Sequence, residues 1–188
     1  MPTSLTLSSP YLRTRRTPGA ASGVEDLVGH SPVVALRRSG DGFAFLKHEG
    51  ANPGGSFFDR VARIQIEGFD ITEALFVRGL TSHTVSVAML AAERGLRLNV
   101  LTSQSDSRRL QPLIKSFGAD FVRCASDADV DAEIARHREA GRPVIERSET
   151  TALLRAHADI AGELASTDLD IQHLVVPAFG LSTEQLRC

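Results

Sequence analysis

The sequence alternates strand-like and helix-like segments over most of its length, and this alternation constrains the fold more than any other feature. Short runs rich in Val, Leu and Phe are typical of strands: EALFVRG, RLNVLTSQ, ADFVRCA and RPVIER. Segments with apolar residues at helical spacing lie between them: SFFDRVARIQIEGF, HTVSVAMLAAERG, DSRRLQPLIKSFG and ADVDAEIARHREAG. Strands that are joined through helices of this length require parallel crossover connections. The sequence therefore predicts an α/β fold, with parallel sheets and flanking helices.

Further elements are predicted towards both ends of the chain. SPVVALRR and FAFLKHEG have strand composition and are separated by the turn signal SGDG. Near the other end, TTALLRAHADIAGELAS is predicted to be a helix and IQHLVVPAFG a final buried strand. Residues 1–27 begin with a stretch rich in Pro, Ser and Thr and are predicted to form a flexible arm.

Composition argues against several classes of protein. The formal net charge is −2 and basic residues are scattered, so we expect neither a nucleic-acid partner nor a membrane surface. No stretch stays apolar over the roughly 18 residues that a membrane helix needs. The two cysteines, Cys124 and Cys188, lack metal-ligand spacing. We therefore expect a reduced, cytoplasmic protein with no metal site.

Three segments fit the places where parallel α/β sheets bind ligands. Such sheets bind beyond the carboxyl ends of their strands, where the N-termini of helices present free N–H groups. The three segments are NPGGS at 52–56, GLTSHT at 79–84 and AFGLST at 178–183. Each follows a predicted strand, so each is a candidate part of one binding site.

These segments resemble motifs of the fold-type II pyridoxal-phosphate enzymes, and in particular of the cysteine synthase and cystathionine β-synthase group. VGHSPVVALRR is similar to the family opening G-N-T-P-L-V-x-L, and FLKHEGANPGGSFFDR resembles K-x-E-x-x-N-P-G-G-S-x-K-D-R. The segment from Val85 to Cys124 resembles the family's next helix, strand, helix and strand. The resemblance implies a tryptophan-synthase-β-like fold in which the second half of the large domain is missing. It further implies that residues 28–50 and 151–188 form a partial large domain, and 51–150 a small α/β domain.

The same resemblance exposes the loss of the reactive amine. In the family, the residue before Asp-Arg is the lysine that forms a Schiff base with the cofactor, and Phe58 occupies that position here. An imine requires a primary amine, which phenylalanine lacks. Lys47 and Lys115, the only two lysines, match other positions of the family pattern, so neither looks recruited as a substitute.

The other cofactor contacts of the family also depart from its pattern. Its S-G-N-T-G element falls on residues 80–84, where Thr81 replaces the glycine and Ser82 the asparagine. Its glycine-rich phosphate cradle falls on residues 179–183, where Phe, Leu and Ser replace the glycines and only Thr183 is retained. The resemblance therefore implies that pyridoxal-phosphate binding is lost.

Several of these positions have both an ordinary and a functional interpretation. Phe57 and Phe58 either fill the space that the cofactor vacated or form an aromatic ligand platform. His83 has two interpretations. It either lies next to the residue that caps a helix, or acts as a general base beside a small carboxylate ligand bound by Thr81, Ser82 and Thr84. Ser56 either caps the following helix or contacts an anion.

Three hypotheses about function remain open. The first is a cysteine-synthase-like pseudoenzyme without the cofactor that acts as a binding, regulatory or assembly partner. It would form a homodimer or a heteromer with an intact homologue or a pathway enzyme, because its parallel strands would otherwise leave apolar surface uncovered. The second is a repurposed, cofactor-independent enzyme of amino-acid-derived metabolism that uses the old cleft. The third is a decaying gene product.

Overall fold

The computed structural model describes residues 23–39, 42–69 and 74–176. Within them, the strands are β1 (Val33–Ser39), β2 (Gly42–Lys47), β3 (Ala74–Arg78), β4 (Arg97–Thr102), β5 (Asp120–Arg123) and β6 (Val144–Ile145). The α-helices are α1 (Phe58–Ile66), α2 (Ser82–Glu93), α3 (Gln111–Ser116), α4 (Asp127–Glu139) and α5 (Thr150–Ala165).

The central sheet has four parallel strands in the order β5-β4-β3-β6. Each strand is reached from the preceding one through a helix, which confirms the predicted α/β class with a parallel sheet and flanking helices. The side chains alternate between two apolar layers, as the twofold repeat of a strand dictates. Leu75 and Val77 of β3 face the main core, whereas Phe76 faces a smaller cluster built with Val130 and Ile134 of α4.

Helix α2 lies at the centre of the main core and is buried along almost its whole length. Its sequence SHTVSVAMLAAE has no charged residue before its last position, so the helix can contact neighbours on every side. It packs against α1 on one side and against α3 and β4 on the others. This central position holds the N-terminus of α2 rigidly at the carboxyl edge of the sheet.

Helix α5 joins the assembly through α1. Ala152, Leu153 and Ala156 of α5 form a compact apolar cluster with Val61, and the cluster is flanked by Phe57 and other partly buried residues. The small alanines allow the two helices to approach closely. This contact places α5 against α1, the helix that follows the NPGGS turn.

Strands β1 and β2 form a separate antiparallel hairpin. Five of its large apolar side chains are exposed, and we refer to them as the hairpin patch: Val34, Leu36, Phe43, Phe45 and Leu46. In the described residues, no third strand pairs with this hairpin.

The prediction of a final buried strand is wrong for the part of IQHLVVPAFG that the structure describes. Residues 171–176 have no regular secondary structure and are exposed, with Val175 at 90 %. A strand needs backbone partners, and in the described chain both the hairpin and the parallel sheet form their ladders without this segment. The remaining residues of the predicted strand, 177–180, lie outside the described residues.

The helix predicted in DSRRLQPLIKSFG starts later than expected. A 3-10 turn at Arg108–Leu110 precedes α3, and the N-cap residue of α3 is Leu110, which makes no side-chain cap hydrogen bond. The carboxylate of Asp106 instead accepts a hydrogen bond from the backbone N–H of Ser103, 2.9 Å away. Pro112 lies in the first turn of α3, where its missing N–H costs nothing.

Of the predicted arm, only residues 23–27 are described. They include a 3-10 turn at Glu25–Leu27, and Glu25 forms an ion pair with Arg94 across 2.6 Å. The proposed domain boundaries at 27, 50 and 150 stay predictions. None of the described helices has the length and apolar character that crossing a membrane would require.

Candidate functional site

The NPGGS turn is held in place by hydrogen bonds from its own neighbourhood. The carboxylate of Asp59 accepts from the backbone N–H of Gly54 across 2.6 Å, and a Cβ added to Gly54 would lie 2.4 Å from that carboxylate. Gly55 has a φ of +83°, which favours glycine. The side chain of Asn52 accepts from the N–H of Gly29 across 2.8 Å. Each of these residue types is therefore required by the fold itself.

Asp59 is fully buried beneath this turn. Burial raises the pKa of its carboxyl above the ordinary value, although hydrogen bonds from Ser86 and Gly54 oppose that rise. Ser86 belongs to α2 and donates its hydroxyl to Asp59. Asp59 thus connects the turn, α1 and α2 through one side chain.

Phe58 is the first residue of α1 and lies between three elements. Its ring is 5.6 Å from the ring of His83 in an edge-to-face arrangement and 5.8 Å from the ring of Phe57. The guanidinium of Arg147, which follows β6, lies 5.8 Å from the centre of the Phe58 ring. Phe57 in turn contacts His157 of α5, with ring centroids 4.6 Å apart. The two phenylalanines therefore fill the space between the starts of α1 and α2 and the face of α5.

The N-terminus of α2 is capped by its own side chains. Thr81 is the N-cap residue, and its hydroxyl accepts from the N–H of Thr84 across 3.3 Å. The hydroxyl of Thr84 donates to the carbonyl of Gly79 across 2.7 Å. Both threonines are therefore occupied within the turn, whereas Ser82 is exposed. The predicted capping by this segment is confirmed, and its proposed contact with a carboxylate stays a prediction.

His83 is 1 % exposed and makes a short hydrogen bond to Gln65 of α1, with 2.7 Å between its Nε2 and the amide oxygen. The amide nitrogen of Gln65 donates to the carbonyl of Glu146 and to the side chain of Glu149, so its oxygen is left to accept from His83. Burial, helped by the positive charge of Arg147, lowers the pKa of His83 to about 4. The imidazole is consequently neutral at pH 7, with its Nε2 proton directed at Gln65.

Ser56 lies directly before Phe57, the N-cap residue of α1. Its hydroxyl accepts from the backbone N–H of Phe58 across 3.2 Å, at the entry to α1. This bond satisfies one of the free N–H groups of the first turn. The structure therefore brings Ser56, Phe58 and His83 into one continuous group, while Thr183 lies outside the described residues.

A cluster of charged side chains around the buried Arg60 lies beside this group, and no motif in the sequence predicts it. Arg60 of α1 is 1 % exposed and donates to Glu49 across 2.7 Å and to Glu163 of α5 across 2.6 Å. The ammonium of Lys47, at the end of β2, binds Glu163 and the carbonyl of Ser31. The cluster has five members: Ser31, Lys47, Glu49, Arg60 and Glu163. They come from distant parts of the chain, and the packing of α5 on α1 brings Glu163 to the other four. We refer to these five residues as the charge cluster.

The charge cluster fixes the ionisation of its members. Burial alone would raise the pKa of Glu163, but hydrogen bonds from Arg60, Lys47 and the N–H of His30 lower it to about 2. The pKa of Glu49 is also lowered: burial opposes the shift, and hydrogen bonds from Arg60 and Ser31 outweigh it. Both carboxylates are therefore ionised at neutral pH and matched by two cations.

A parallel sheet whose strand β3 leads directly into the capped start of α2 has the arrangement with which α/β proteins bind ligands at the carboxyl ends of their strands. The sequence model of the pyridoxal-phosphate dependent enzymes matches residues 24–183, and the chain belongs to this family. The resemblance found in the motifs is therefore confirmed.

The curated relatives are cysteine synthases and related enzymes. The chain is 29 % identical over 114 residues to cysteine synthase B of Escherichia coli, across 54 % of this chain and 36 % of that protein. It is 26 % identical over 122 residues to a cysteine synthase of Flavobacterium sp., across 61 % of this chain and 40 % of that protein. The chain thus spans well under half the length of these two relatives.

The solved structures agree with the fold. Cysteine synthase of Entamoeba histolytica superposes with a TM-score of 0.66 at 18 % identity and covers 86 % of this chain and 52 % of that one. Cystathionine β-synthase of Bacillus anthracis gives a TM-score of 0.61 at 24 % identity and covers 79 % and 63 % of the two chains. At these identities the likeness establishes the architecture alone.

The residues present do not fit the covalent attachment of pyridoxal phosphate. The side chain at the start of α1 is the apolar ring of Phe58, which packs on His83 and Phe57. The ammonium of Lys47 is bound within the charge cluster. The other lysine, Lys115, lies exposed on α3. In the described chain, neither amine lies free at the position from which the family lysine acts.

Proposed function

We propose that this chain is a cysteine-synthase-like pseudoenzyme that does not bind pyridoxal phosphate and acts as a binding, regulatory or assembly partner. One observation carries the proposal: Phe58 fills the start of α1 and contacts the rings of both Phe57 and His83. The ring replaces the amine and also occupies space beside it. Apolar packing of this kind stabilises the fold without a ligand.

The contacts of Lys47 support the same proposal. A Schiff base forms from a neutral amine, whereas the ammonium of Lys47 is paired with Glu163 and bonded to the carbonyl of Ser31. Deprotonating it would leave the charge of Glu163 with one partner fewer. Its role in the structure is therefore that of a partly buried counter-ion to Glu163.

A spectroscopic titration tests the loss of the cofactor. The purified chain, titrated with pyridoxal phosphate, is expected to give no saturable Schiff-base absorption band, because Lys47 is bound within the charge cluster and the exposed Lys115 lies on α3 rather than at the start of α1. Cysteine synthase B of Escherichia coli, stripped of its cofactor and treated alike, serves as the positive control. A saturable band that Lys47→Ala or Lys115→Ala removes would contradict the proposal and identify the reacting lysine.

The hairpin patch supports the role as a partner protein. Leu36 is 60 % exposed and Phe43 is 55 % exposed, and both lie on a two-stranded sheet. A hairpin of two strands is marginal in water unless a further layer covers it. These exposed apolar side chains lie on both faces of the hairpin, because Val34 is the register partner of Leu46 and Phe45 that of Ala35. Exposed apolar surface of this kind is typical of interaction sites. The proposed occupant is a second copy of the chain or an intact cysteine synthase.

Size-exclusion chromatography with light scattering tests this assembly. We expect the chain to form a dimer, or to co-elute with cysteine synthase B of Escherichia coli when the two are mixed. Leu36→Glu should weaken the complex by tenfold or more, since it places a charge in the apolar contact. Leu113→Glu is the matched control, because Leu113 is 45 % exposed on α3, away from the hairpin. A monomer under both conditions would contradict the proposed partners.

The geometry of His83 favours this reading over a cofactor-independent enzyme. A general base has to reach its substrate, whereas His83 is buried behind Phe58 and directs its Nε2 proton at Gln65. The hydroxyls of Thr81 and Thr84 are used within the cap. These contacts are those of a structural histidine.

A further inference from the structure

A cavity lies at the edge of the central four-stranded sheet, and Phe58 is not among its lining residues. It has a volume of about 540 Å³ and opens beyond the carboxyl ends of β4 and β5, the edge at which parallel α/β sheets bind ligands. Thr102 and Arg123 are register partners at the ends of these two strands, so their side chains point to the same side of the sheet. Arg108 and Gln111 line the cavity from the turn and the helix that follow β4.

Two arginines of this cavity have no partner within the described chain. Neither Arg108 nor Arg123 forms a hydrogen bond or an ion pair there, unlike the arginines of the charge cluster and of α4. They come from two different elements, the 3-10 turn before α3 and the end of β5. Two unpaired guanidinium groups that face one cavity raise its affinity for anions.

The nearby carboxylates are already bonded to other groups. Asp127 accepts from the hydroxyl of Ser103 across 2.6 Å and from that of Ser105 across 3.0 Å. Asp106 accepts from the backbone N–H of Ser103. The hydroxyl and N–H groups of the serine loop thus serve as the partners of both acids, and neither acid pairs with an arginine of the cavity wall.

We propose that this cavity binds the phosphate group of a small phosphate monoester. Guanidinium groups donate paired hydrogen bonds that match phosphate oxygens, so two of them can hold a single dianionic group. The side-chain amide of Gln111 adds a neutral donor and acceptor for the rest of the molecule. The cavity volume is within the range of small-molecule sites, about 300–1,000 Å³, and exceeds what a bare phosphate fills.

The proposal is tested on the full chain by calorimetric titration at low ionic strength. The probe is glycerol 3-phosphate, and glycerol, inorganic phosphate and succinate are titrated in parallel. We expect saturable binding of glycerol 3-phosphate, weaker binding of inorganic phosphate and none of glycerol. Succinate that binds as tightly as glycerol 3-phosphate would overturn the assignment to a phosphate, and the absence of saturable binding would overturn the site.

Neighbouring arginines provide matched variants. Arg108→Gln and Arg123→Gln should each weaken binding of glycerol 3-phosphate about tenfold or more, because each removes charge-assisted hydrogen bonds. Arg109→Gln removes the same charge from the residue adjacent to Arg108, which does not line the cavity. It should change the affinity for glycerol 3-phosphate less than about twofold. The three side chains are exposed, so the variants should fold like the parent, as far-ultraviolet circular dichroism will check. An equal loss in Arg109→Gln would reduce the binding to non-specific charge attraction and overturn the proposal.

Discussion

Replacing Arg60 with methionine is expected to lower the free energy of unfolding by about 3–5 kcal/mol, the range found when a buried ion pair loses one partner. Arg60 is 1 % exposed and is hydrogen-bonded to both Glu49 and Glu163. In the variant, Lys47 is the only remaining cation of the charge cluster, and it pairs with Glu163. The partly buried carboxylate of Glu49 is then left without the cation that it now binds. Urea unfolding, followed by circular dichroism, measures the difference.

Arg63→Met is the matched control for this experiment. Arg63 lies one turn further along α1 and pairs with Asp159 across 3.2 Å, but a third of its side chain is exposed. Its loss should cost less than about 1 kcal/mol. If Arg60→Met lowered the free energy of unfolding no more than Arg63→Met does, the charge cluster would contribute little to the stability of the fold.

The charge cluster also sets the sign of the acid dependence of Arg60→Met. The pKa of Glu163 is lowered from 4.5 to about 2, so the stability it contributes is present above about pH 4.5 and is lost as the pH falls towards 2. Without Arg60, that pKa returns towards its ordinary value. The stability difference between the parent and Arg60→Met should therefore narrow over this interval.

Phe58→Lys, which restores the residue type of the family at this position, is expected to lower the free energy of unfolding by about 2–3 kcal/mol. The half-buried phenyl ring loses its contacts with His83 and Phe57, and complete burial of such a ring is worth roughly 1.5–3 kcal/mol. The new ammonium would also lie near the guanidinium of Arg147, which now stands 5.8 Å from the ring. Both effects act in the same direction, and thermal and urea unfolding measure their sum.

Phe58→Met separates the loss of apolar contact from the added charge. Methionine keeps most of the buried volume, so this variant should stay within about 1.5 kcal/mol of the parent. A Phe58→Lys protein as stable as the parent would mean that the start of α1 tolerates an amine. In that case the packing of Phe57 and Phe58 between α1, α2 and α5 would contribute little to stability.

The fold class was readable from the sequence because it depends on short-range patterns. The twofold repeat of β3 and the glycines that end α2 and α3 act over a few residues, and each is visible in one segment. The segment at 171–176 shows the limit of this reasoning. Its apolar composition suits a strand, but whether a strand forms depends on a partner ladder that no local pattern specifies.

The candidate site could be predicted in part for the same reason. The Asn-Pro-Gly-Gly-Ser motif and the missing lysine at Phe58 are contiguous in the sequence. The charge cluster was not predictable, since Glu163 lies 103 residues from Arg60 along the chain. The two unpaired arginines at the ends of separate elements were likewise invisible, because their availability depends on which partners the nearby acids choose.

The sequence by itself determined the succession of strands and helices, the family likeness and the identity of the side chain where the family has its lysine. These follow from local periodicity, turn chemistry and residue type, which do not depend on distant contacts. Only the tertiary structure decided that Lys47 is a partly buried counter-ion, that His83 is neutral behind Phe58, and that Arg108 and Arg123 share one cavity. Ionisation and accessibility depend on burial and on charged neighbours, and folding brings those neighbours together from distant parts of the chain.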